Sequence, residues 1–321
     1  MRHSTLANEF AGALIPQRRV LCASDLNPRS RAALQRAALV AQQMDAALVI
    51  VHAVPHSHSE RELRSRSNRA YVRLLTHAEE VLGTSADALN ILVRPGDALD
   101  VISQAATEWN ADLVVLAAPE PRRLDGITGT TAERIVRATK RPVLVVHGAA
   151  QSHYRNVALA VDMSRASMPM VRRAVAFGVI DDADTAVVHA FEPPYHTLMH
   201  SSGIAPDQIE RYKEGWTEEL KSQLGATLAK SGVALNRARL VVRAVPAMTA
   251  IQDTLSDTAT ELLIIGASRW FFLKRLLIGS VADRLLRSVT CDVMVIPSER
   301  DEPLFDASSP TRGRIDHAVV P

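Results

Sequence analysis

Residues 18–53, RRVLCASDLNPRSRAALQRAALVAQQMDAALVIVHA, contain two short apolar runs separated by a segment of helical periodicity. The runs VLCAS and ALVIVHA are almost continuously apolar, which is typical of strands buried on both faces of a parallel sheet. The segment between them, RSRAALQRAALVAQQM, predicts a helix that crosses from one strand to the next. Such a unit favours an open, doubly wound sheet with right-handed crossovers.

The chain then repeats this unit in a second copy. The strands RNVALAVD (155–162) and TAVVHA (185–190) match RRVLCASD and LVIVHA, and the closing Asp and Ala are equally spaced in both copies (25 to 53 and 162 to 190). Three further matches complete the repeat: LVRPGDALDVI (92–102) with VVRAVPAMTAI (241–251), ADLVVLAA (111–118) with TELLIIGA (260–267), and GTTAERIVRATKRPVLVV (129–146) with GSVADRLLRSVTCDVMVI (279–296). The second copy holds about a dozen extra residues between its second and third strands. We therefore predict an α/β protein of two tandem doubly wound domains, each a five-stranded parallel sheet flanked by helices.

These matches divide the 321 residues into a loose arm (1–17), a first domain (18–149), a second domain (150–300) and a polar, disordered tail (301–321). The content of 47% hydrophobic and 22% charged residues is ordinary for globular proteins and excludes a largely disordered chain. No apolar run approaches the roughly 18 residues of a membrane-spanning helix. The N-terminus lacks the apolar core of a signal peptide, so we expect neither a transmembrane segment nor a leader.

The net charge and the two cysteines limit the expected binding partners and the expected cellular location. The formal net charge of +2 is too small to indicate a nucleic-acid partner. Cys22 and Cys291 are the only cysteines and lie far apart, in or beside apolar runs. We therefore expect neither a disulfide framework nor a cysteine-ligated zinc site, and a reducing cytoplasm is the expected location.

A glycine pattern follows the fourth strand of the second copy, where doubly wound sheets bind ligands. In GASRWFFLKRLLIGSVADRLL (266–286), Gly266 ends the strand and Gly279-Ser280 opens a helix. A helix that begins with Gly-Ser offers free N–H groups, a hydroxyl and a positive dipole end to a phosphate. The spacing alone equally allows both glycines to be turn residues and Ser280 to be a helix cap.

Both copies resemble domains of the universal stress protein family, over roughly residues 18–298. Nucleotide-binding members of that family carry Gly-x2-Gly-x9-Gly-(Ser/Thr) after the fourth strand and an Asp after the first. The second copy keeps this spacing, with Arg269 in place of the middle glycine and Val281 after Gly279-Ser280. The resemblance implies a fold like that of the adenine nucleotide alpha hydrolases.

The resemblance also implies that ATP, with or without Mg²⁺, binds mainly in the second domain. Asp162 would meet the adenosine end of ATP, and the backbone of Ala190 would read the adenine. The remaining contacts that the resemblance implies are Gly266, Arg269, Gly279, Ser280 and Val281. Arg269 can either pair with a phosphate or fill space that only glycine leaves open, and both alternatives remain.

The first copy departs further from the family pattern. It keeps Asp25 and ends the pattern with Gly129-Thr130, but Ala117 and Glu120 replace two glycines and one residue is missing. Glu120 would place a negative charge beside a triphosphate, which like-charge repulsion disfavours. We therefore expect a degenerate first site, with Asp25, Gly129 and Thr130 as its residual contacts.

The expected function is that of a cytoplasmic stress-response protein, which acts as a nucleotide-responsive regulatory module. We find no P-loop, Gly-x-Gly-x2-Gly or His-Glu-x2-His motif, so we assign no catalytic residue and expect at most slow ATP hydrolysis. The departures from the glycine motif leave open a nucleotide-free scaffold that binds a protein or an apolar ligand. A slow ATPase is a third alternative.

The resemblance also bears on assembly, because single-domain members of the family pair through their last strands. Here VLVVH (143–147) and VMVIP (293–297) would pair within one chain, which would make it a pseudo-dimer. A protein partner is expected, and a further homodimer is left open. Trp270, Phe271 and Phe272 either cover the sheet and the facing domain or form an exposed patch for such a partner.

The histidines and arginines have less specific interpretations. His52 and His189 end equivalent strands, and we interpret each as a partly buried residue with a backbone partner. The stretch 61–75 is rich in arginine and predicts the solvated face of a helix. Two further pairs are interpreted as solvated loop residues rather than metal ligands, because neither has a matching carboxylate or cysteine: His56 and His58, and His196 and His200.

Overall fold

The computed structural model describes residues 18–85, 89–118, 131–164, 167–230, 237–267, 284–286 and 288–297. The first half contains β1 (Arg18–Ala23), α1 (Pro28–Gln43), β2 (Ala46–Val54), α2 (Glu60–Leu82), β3 (Asn90–Pro95), α3 (Ala98–Glu108), β4 (Leu113–Ala117), α4 (Thr131–Thr139) and β5 (Val143–Val146). The second half contains β6 (Asn156–Ala160), α5 (Ser167–Ala176), β7 (Asp184–Ala190), α6 (His196–Ser201), α7 (Pro206–Lys230), β8 (Ala238–Arg243), α8 (Ala247–Asp257), β9 (Leu262–Ala267) and β10 (Asp292–Pro297).

All ten strands form one sheet in the order β3-β2-β1-β4-β5-β10-β9-β6-β7-β8. Within each half the neighbouring strands are parallel, so each half is the predicted five-stranded, doubly wound unit. The halves join where β5 and β10 pair antiparallel, with Val293 opposite Val145 and Val295 opposite Val143. This pairing of the last strands confirms the predicted pseudo-dimer within one chain.

Helices cover both faces of the sheet and bury its central strands on both sides, whereas the edge strands β3 and β8 are mostly half-buried. On β1, Val20 and Cys22 face one core, and Leu21 between them faces the other. This alternation follows from the two-residue period of a strand. The first core is closed by α1, α2, α5 and α7, through residues that include Leu34, Leu74, Val171 and Leu224. The second is closed by α3, α4 and α8, through residues that include Ile102, Ile135 and Ile251.

Local signals in the sequence set several helix ends. The Ser59 hydroxyl accepts a hydrogen bond from the Glu62 amide at 3.3 Å and caps α2, which ends at Gly83 in the left-handed conformation. Asp97 caps α3 through the Leu99 amide at 2.9 Å. These caps pair N–H groups that a helix leaves without intrahelical partners.

The extra residues of the second copy form additional helix. The connection from β7 to β8 contains the short helix α6 and the long helix α7, whereas the described part of the connection from β2 to β3 contains α2 alone. Because α6 begins six residues after the end of β7, the insertion lies next to the carboxyl end of that strand.

A buried ionic cluster joins the two halves beside the β5–β10 pair. The Arg36 guanidinium lies 3.2 Å from the Asp292 carboxylate, and both side chains are more than nine-tenths buried. The Tyr154 hydroxyl donates to the same carboxylate at 2.7 Å, and the His147 amide donates at 2.8 Å. Arg36 also lies over the Tyr154 ring, with Cζ 3.8 Å from the centroid. Burial, followed by the charge of Asp292, raises the pKa of Tyr154 far above its usual value.

Candidate functional site

The sheet brings the carboxyl ends of three second-half strands together at one edge. β6 lies between β7 and β9, with Ala160 opposite Val188 on one side and Ile265 on the other. Continuing these registers places Asp162 beside Ala190 on one side and beside Ala267, the last residue of β9 and the neighbour of Gly266, on the other. Three of the predicted site residues therefore share the edge at which doubly wound sheets bind ligands.

The Asp162 carboxylate is held in one orientation by its own loop. Oδ1 accepts hydrogen bonds from the Ser167 hydroxyl at 2.5 Å and from the Ser164 amide at 3.0 Å. Among the described residues no donor forms a hydrogen bond to Oδ2, although the Ser164 hydroxyl lies close enough to the carboxylate to lower its pKa. Burial acts to raise the pKa of Asp162, but hydrogen bonds from Ser164 and Ser167 outweigh it and hold the pKa below its usual value. The result is an oriented, ionised carboxylate with one oxygen available to a ligand.

Asp25 occupies the equivalent position in the first half, but both of its oxygens are used. The Ser30 hydroxyl and the Asn27 amide donate to Oδ1, and the Asn27 side-chain amide donates to Oδ2 at 2.8 Å. Burial again acts to raise the pKa of this carboxyl, and hydrogen bonds from Ser30 and Asn27 bring it below its usual value. Ser164 stands where the first copy has Asn27, so the second copy lacks the amide that occupies Oδ2.

Ser30 and Ser167 are positioning residues that the sequence interpretation missed. Ser30 is 1% exposed and Ser167 is 6% exposed, so each is a buried polar residue whose hydroxyl is satisfied by an aspartate. A signal was present, because both copies contain a serine five residues after the aspartate.

His52 and His189 tie the second strand of each half to the loop that carries the aspartate. His52 Nδ1 lies 2.7 Å from the carbonyl oxygen of Ser24, and His189 Nδ1 lies 3.0 Å from that of Val161. Because a carbonyl oxygen can only accept, each Nδ1 carries the proton. The prediction of a backbone partner is confirmed for both histidines.

Each of the two halves is similar to a known protein family. The universal stress protein family matches residues 17–147 and 153–297, which is most of the chain. The chain belongs to the universal stress protein family.

One relative is similar to a single half of this chain, and one solved structure is similar to both halves. Universal stress protein A homolog 1 of Coxiella burnetii is 28% identical over 141 residues, which are 40% of this chain and 94% of that protein. The crystal structure of a universal stress protein from Archaeoglobus fulgidus DSM 4304 superposes with a TM-score of 0.60 at 13% identity, over 87% of this chain and 98% of that one. The first match corresponds to a single domain, and the second shares the whole two-copy fold.

Within this family fold, Gly266 has a packing role on the α5 side of the sheet. A Cβ built on Gly266 would lie 3.2 Å from the sulfur of Met170, which is tighter than ordinary van der Waals contact. A side chain here would require the flexible methionine to move. Close packing therefore accounts for a glycine at this position, whether or not a ligand approaches it.

Several residues that the family resemblance implicates lie outside the described part of the structure: Arg269, Gly279, Ser280 and Val281 of the second copy, Glu120, Gly129 and Thr130 of the first, and Trp270, Phe271 and Phe272. Their roles stay predictions. Ala117 is the last residue of β4, at the same edge of the sheet as Asp25.

The described residues contain no group of three or more His, Cys, Asp or Glu side chains that could hold a metal ion. The arginine-rich stretch 61–75 lies in α2, where Arg64 and Arg66 form exposed ion pairs with Glu60 and Glu62, as expected for a solvated face. Among the described helices, none is both long and apolar enough to cross a membrane.

Proposed function

We propose that this universal stress protein is a cytoplasmic, stress-responsive regulatory module that binds ATP mainly in its second domain. The observation that carries the proposal is the Asp162 carboxylate, which is ionised, fixed through Oδ1 and left with Oδ2 unpartnered among the described residues. Such an oxygen can accept a hydrogen bond from a ribose hydroxyl. A charge-assisted hydrogen bond of this kind is about twice as strong as one between neutral groups.

The other residues that the family resemblance implicates would bind the remaining parts of the nucleotide. The backbone at Ala190 ends the neighbouring strand and would contact the adenine. Gly279 and Ser280 would supply amide and hydroxyl donors to the phosphates, as the first turn of a helix does for anions. Arg269 would pair with a phosphate in this arrangement.

Geometry and charge both support a preference for the second domain. In the first domain the Asn27 amide already occupies Asp25 Oδ2, so a ligand would have to displace an existing hydrogen bond. Because Asp25 and Asn27 are both exposed, this displacement costs only the net contribution of one hydrogen bond, about 1 kcal/mol. Glu120 adds a negative charge on the phosphate side.

Small molecules released from the purified protein provide the first test. The protein would be purified without added nucleotide, denatured, and its released small molecules identified by mass spectrometry. We expect ATP or ADP that is lost on Gly279→Trp and retained on Gly129→Trp, the matched change in the first domain. Finding no nucleotide, together with no thermal shift in millimolar Mg-ATP, would refute the proposal.

A nucleotide-free scaffold is the second candidate, and two features favour it. Arg269 replaces a glycine of the nucleotide motif, and the close approach of Met170 gives Gly266 a packing role of its own. The aromatic segment 270–272 would then provide the docking surface for a protein partner or an apolar ligand. Loss of partner binding on Trp270→Ala/Phe271→Ala, in a protein that carries no nucleotide, would favour this candidate.

Slow hydrolysis and further assembly can be tested on the same material. If the chain is a slow ATPase, phosphate release should disappear in Asp162→Ala and persist in Asp25→Ala. Light scattering during size-exclusion chromatography, with and without Mg-ATP, tests for a homodimer beyond the pseudo-dimer of one chain.

A further inference from the structure

Two histidines face each other on the short helix of the second-copy insertion. His196 and His200 are the first and fifth residues of α6, and this i, i+4 spacing places them on one face of the helix. Their Nε2 atoms are 3.2 Å apart, with ring centroids 4.6 Å apart and ring planes at 79°. The sequence predicted solvated loop residues, because no matching carboxylate or cysteine accompanies the pair, whereas the structure places both on a helix.

We propose that His196 and His200 form a surface site for one divalent transition-metal ion, with Zn²⁺ as the reference ion. Zinc–nitrogen bonds are about 2.0–2.1 Å long, so two nitrogens 3.2 Å apart subtend an angle of about 103° at the metal. This value is close to the tetrahedral angle of about 109° that zinc prefers. The two rings therefore already stand at the separation that a single ion requires.

The chemistry of the two ligands determines which ions fit. Imidazole suits zinc, copper and nickel, whereas magnesium and calcium prefer oxygen ligands. Two protein ligands leave positions that water fills, so the ion would be exchangeable rather than structural. A metal-free alternative exists for the same contact, because one Nε2–H can donate a hydrogen bond to the other Nε2 at this distance.

Glu210 of α7 provides negative charge near the pair. A hydrogen bond from Lys213 is the main cause that lowers the pKa of Glu210, and the positive charges of His196 and His200 contribute to the same shift. A carboxylate on this side would attract a dication, but the Lys213 ammonium 2.8 Å away offsets much of its charge, so the site depends on the geometry of the two rings. Glu210 need not be a ligand for this effect, and its hydrogen bond to Lys213 at 2.8 Å can remain.

The first copy supplies a natural control. His56 and His58 lie in the corresponding connection after β2, two residues apart and before α2 begins. They lack the helical spacing that brings His196 and His200 face to face. A site that depends on helix geometry should therefore be present in the second connection and absent from the first.

Titration of the nucleotide-free full-length protein with Zn²⁺, in competition with a fluorescent zinc indicator, tests the proposal. We expect one zinc ion per chain in the wild type. Even a change in the second shell weakens metal sites about 10–100-fold, so loss of either ring should weaken zinc binding at least about tenfold in both His196→Ala and His200→Ala. The double variant His56→Ala/His58→Ala removes both histidines of the first connection and should bind as the wild type does.

Circular dichroism and the zinc affinities of the variants together decide the outcome. Far-ultraviolet circular dichroism should remain unchanged in all variants, because alanine is a better helix former than histidine. Equal zinc affinity in wild type, His196→Ala and His200→Ala would overturn the proposal and leave the contact as a hydrogen bond. Loss of the tight site in His56→Ala/His58→Ala would overturn it as well.

Discussion

In both halves an aspartate just after the first strand accepts a hydrogen bond from a serine five residues later, but the residue two positions after the aspartate differs. In the first half Asn27 closes Asp25 with a second hydrogen bond, and in the second half Ser164 leaves the outer oxygen of Asp162 without a described partner. A similar contrast holds at the seam, the β5–β10 pair and the buried cluster of Arg36, Tyr154 and Asp292 that join the halves. There the second half supplies Asp292, and the first half has Pro142 at the matching position. Two copies of one fold thus differ at matched positions, both in the loop that carries the aspartate and where the halves join.

The largest expected effect concerns the seam. Asp292→Ala would leave the Arg36 guanidinium buried without its carboxylate, and removing one member of a buried ion pair destabilises by about 3–5 kcal/mol. Urea unfolding monitored by circular dichroism should show this loss. Pro142→Ala, the matched change in the first half, should alter the free energy of unfolding by less than about 1 kcal/mol. Equal effects of the two changes would remove the contrast at the seam.

The next effect separates the two candidate sites and depends on the proposed function. A hydrogen bond to a charged group contributes about 1.5–3 kcal/mol, so Asp162→Ala should weaken ATP binding about 10- to 100-fold. Calorimetric titration with Mg-ATP measures this change. Asp25→Ala removes the matching Ser bond within its own loop and should leave the ATP affinity unchanged. A similar loss in both variants would contradict the preference for the second domain.

Replacing Ser164 with asparagine, the residue at the matching position of the first half, tests the role of Asp162 Oδ2 directly and should have a smaller effect. Ser164→Asn should place a side-chain amide on Asp162 Oδ2, as Asn27 does on Asp25. Competition with a hydrogen bond of about 1 kcal/mol should weaken ATP binding about fivefold. The free energy of unfolding should not fall, because the new amide is paired. An ATP affinity that is unchanged in Ser164→Asn would show that Oδ2 is not the contact.

The smallest effect should be the same in both halves. Ser167→Ala removes the hydroxyl from Asp162 and should raise the pKa of that carboxyl, and Ser30→Ala should do so for Asp25. The folded-state pKa of each is lowered, so the stability that its hydrogen bonds contribute is full above the unfolded value of about 3.9 and is lost as the pH falls through the folded value. Carbon-detected NMR titration of both carboxyls measures the shifts. A shift in only one half would mean that the two serines do not play the same part.

Much of the fold could be predicted from the sequence, because its signals are local. Apolar runs such as VLCAS report burial on both sides of a strand, and the 28-residue interval from aspartate to alanine recurs in both copies. The pairing of 143–147 with 293–297 followed from the family resemblance and is confirmed in β5 and β10. Helical periodicity predicted the helix between the first two strands, and the caps at Ser59 and Asp97 are local contacts of the same kind that the structure reveals.

The candidate site was only partly predictable. The sequence identified Asp162, Ala190 and Gly266 as edge residues, and their strands do end side by side. It did not identify Ser167, since a serine in a helical segment has many local uses. The face-to-face arrangement of His196 and His200 could not be predicted either, because it depends on a six-residue helix that has no apolar period of its own.

The sequence by itself determined the class of fold, the twofold repeat and the edge of the sheet that carries the polar residues, because burial and periodicity are written into neighbouring residues. Only the tertiary structure decided whether the outer oxygen of each aspartate accepts a hydrogen bond, since that depends on where the side chain at position 27 or 164 reaches. It also decided that Arg36 meets Asp292, which lies 256 residues further along the chain. Contacts between residues so far apart in the sequence depend on how the two halves of the sheet join, and no local sequence pattern predicts them.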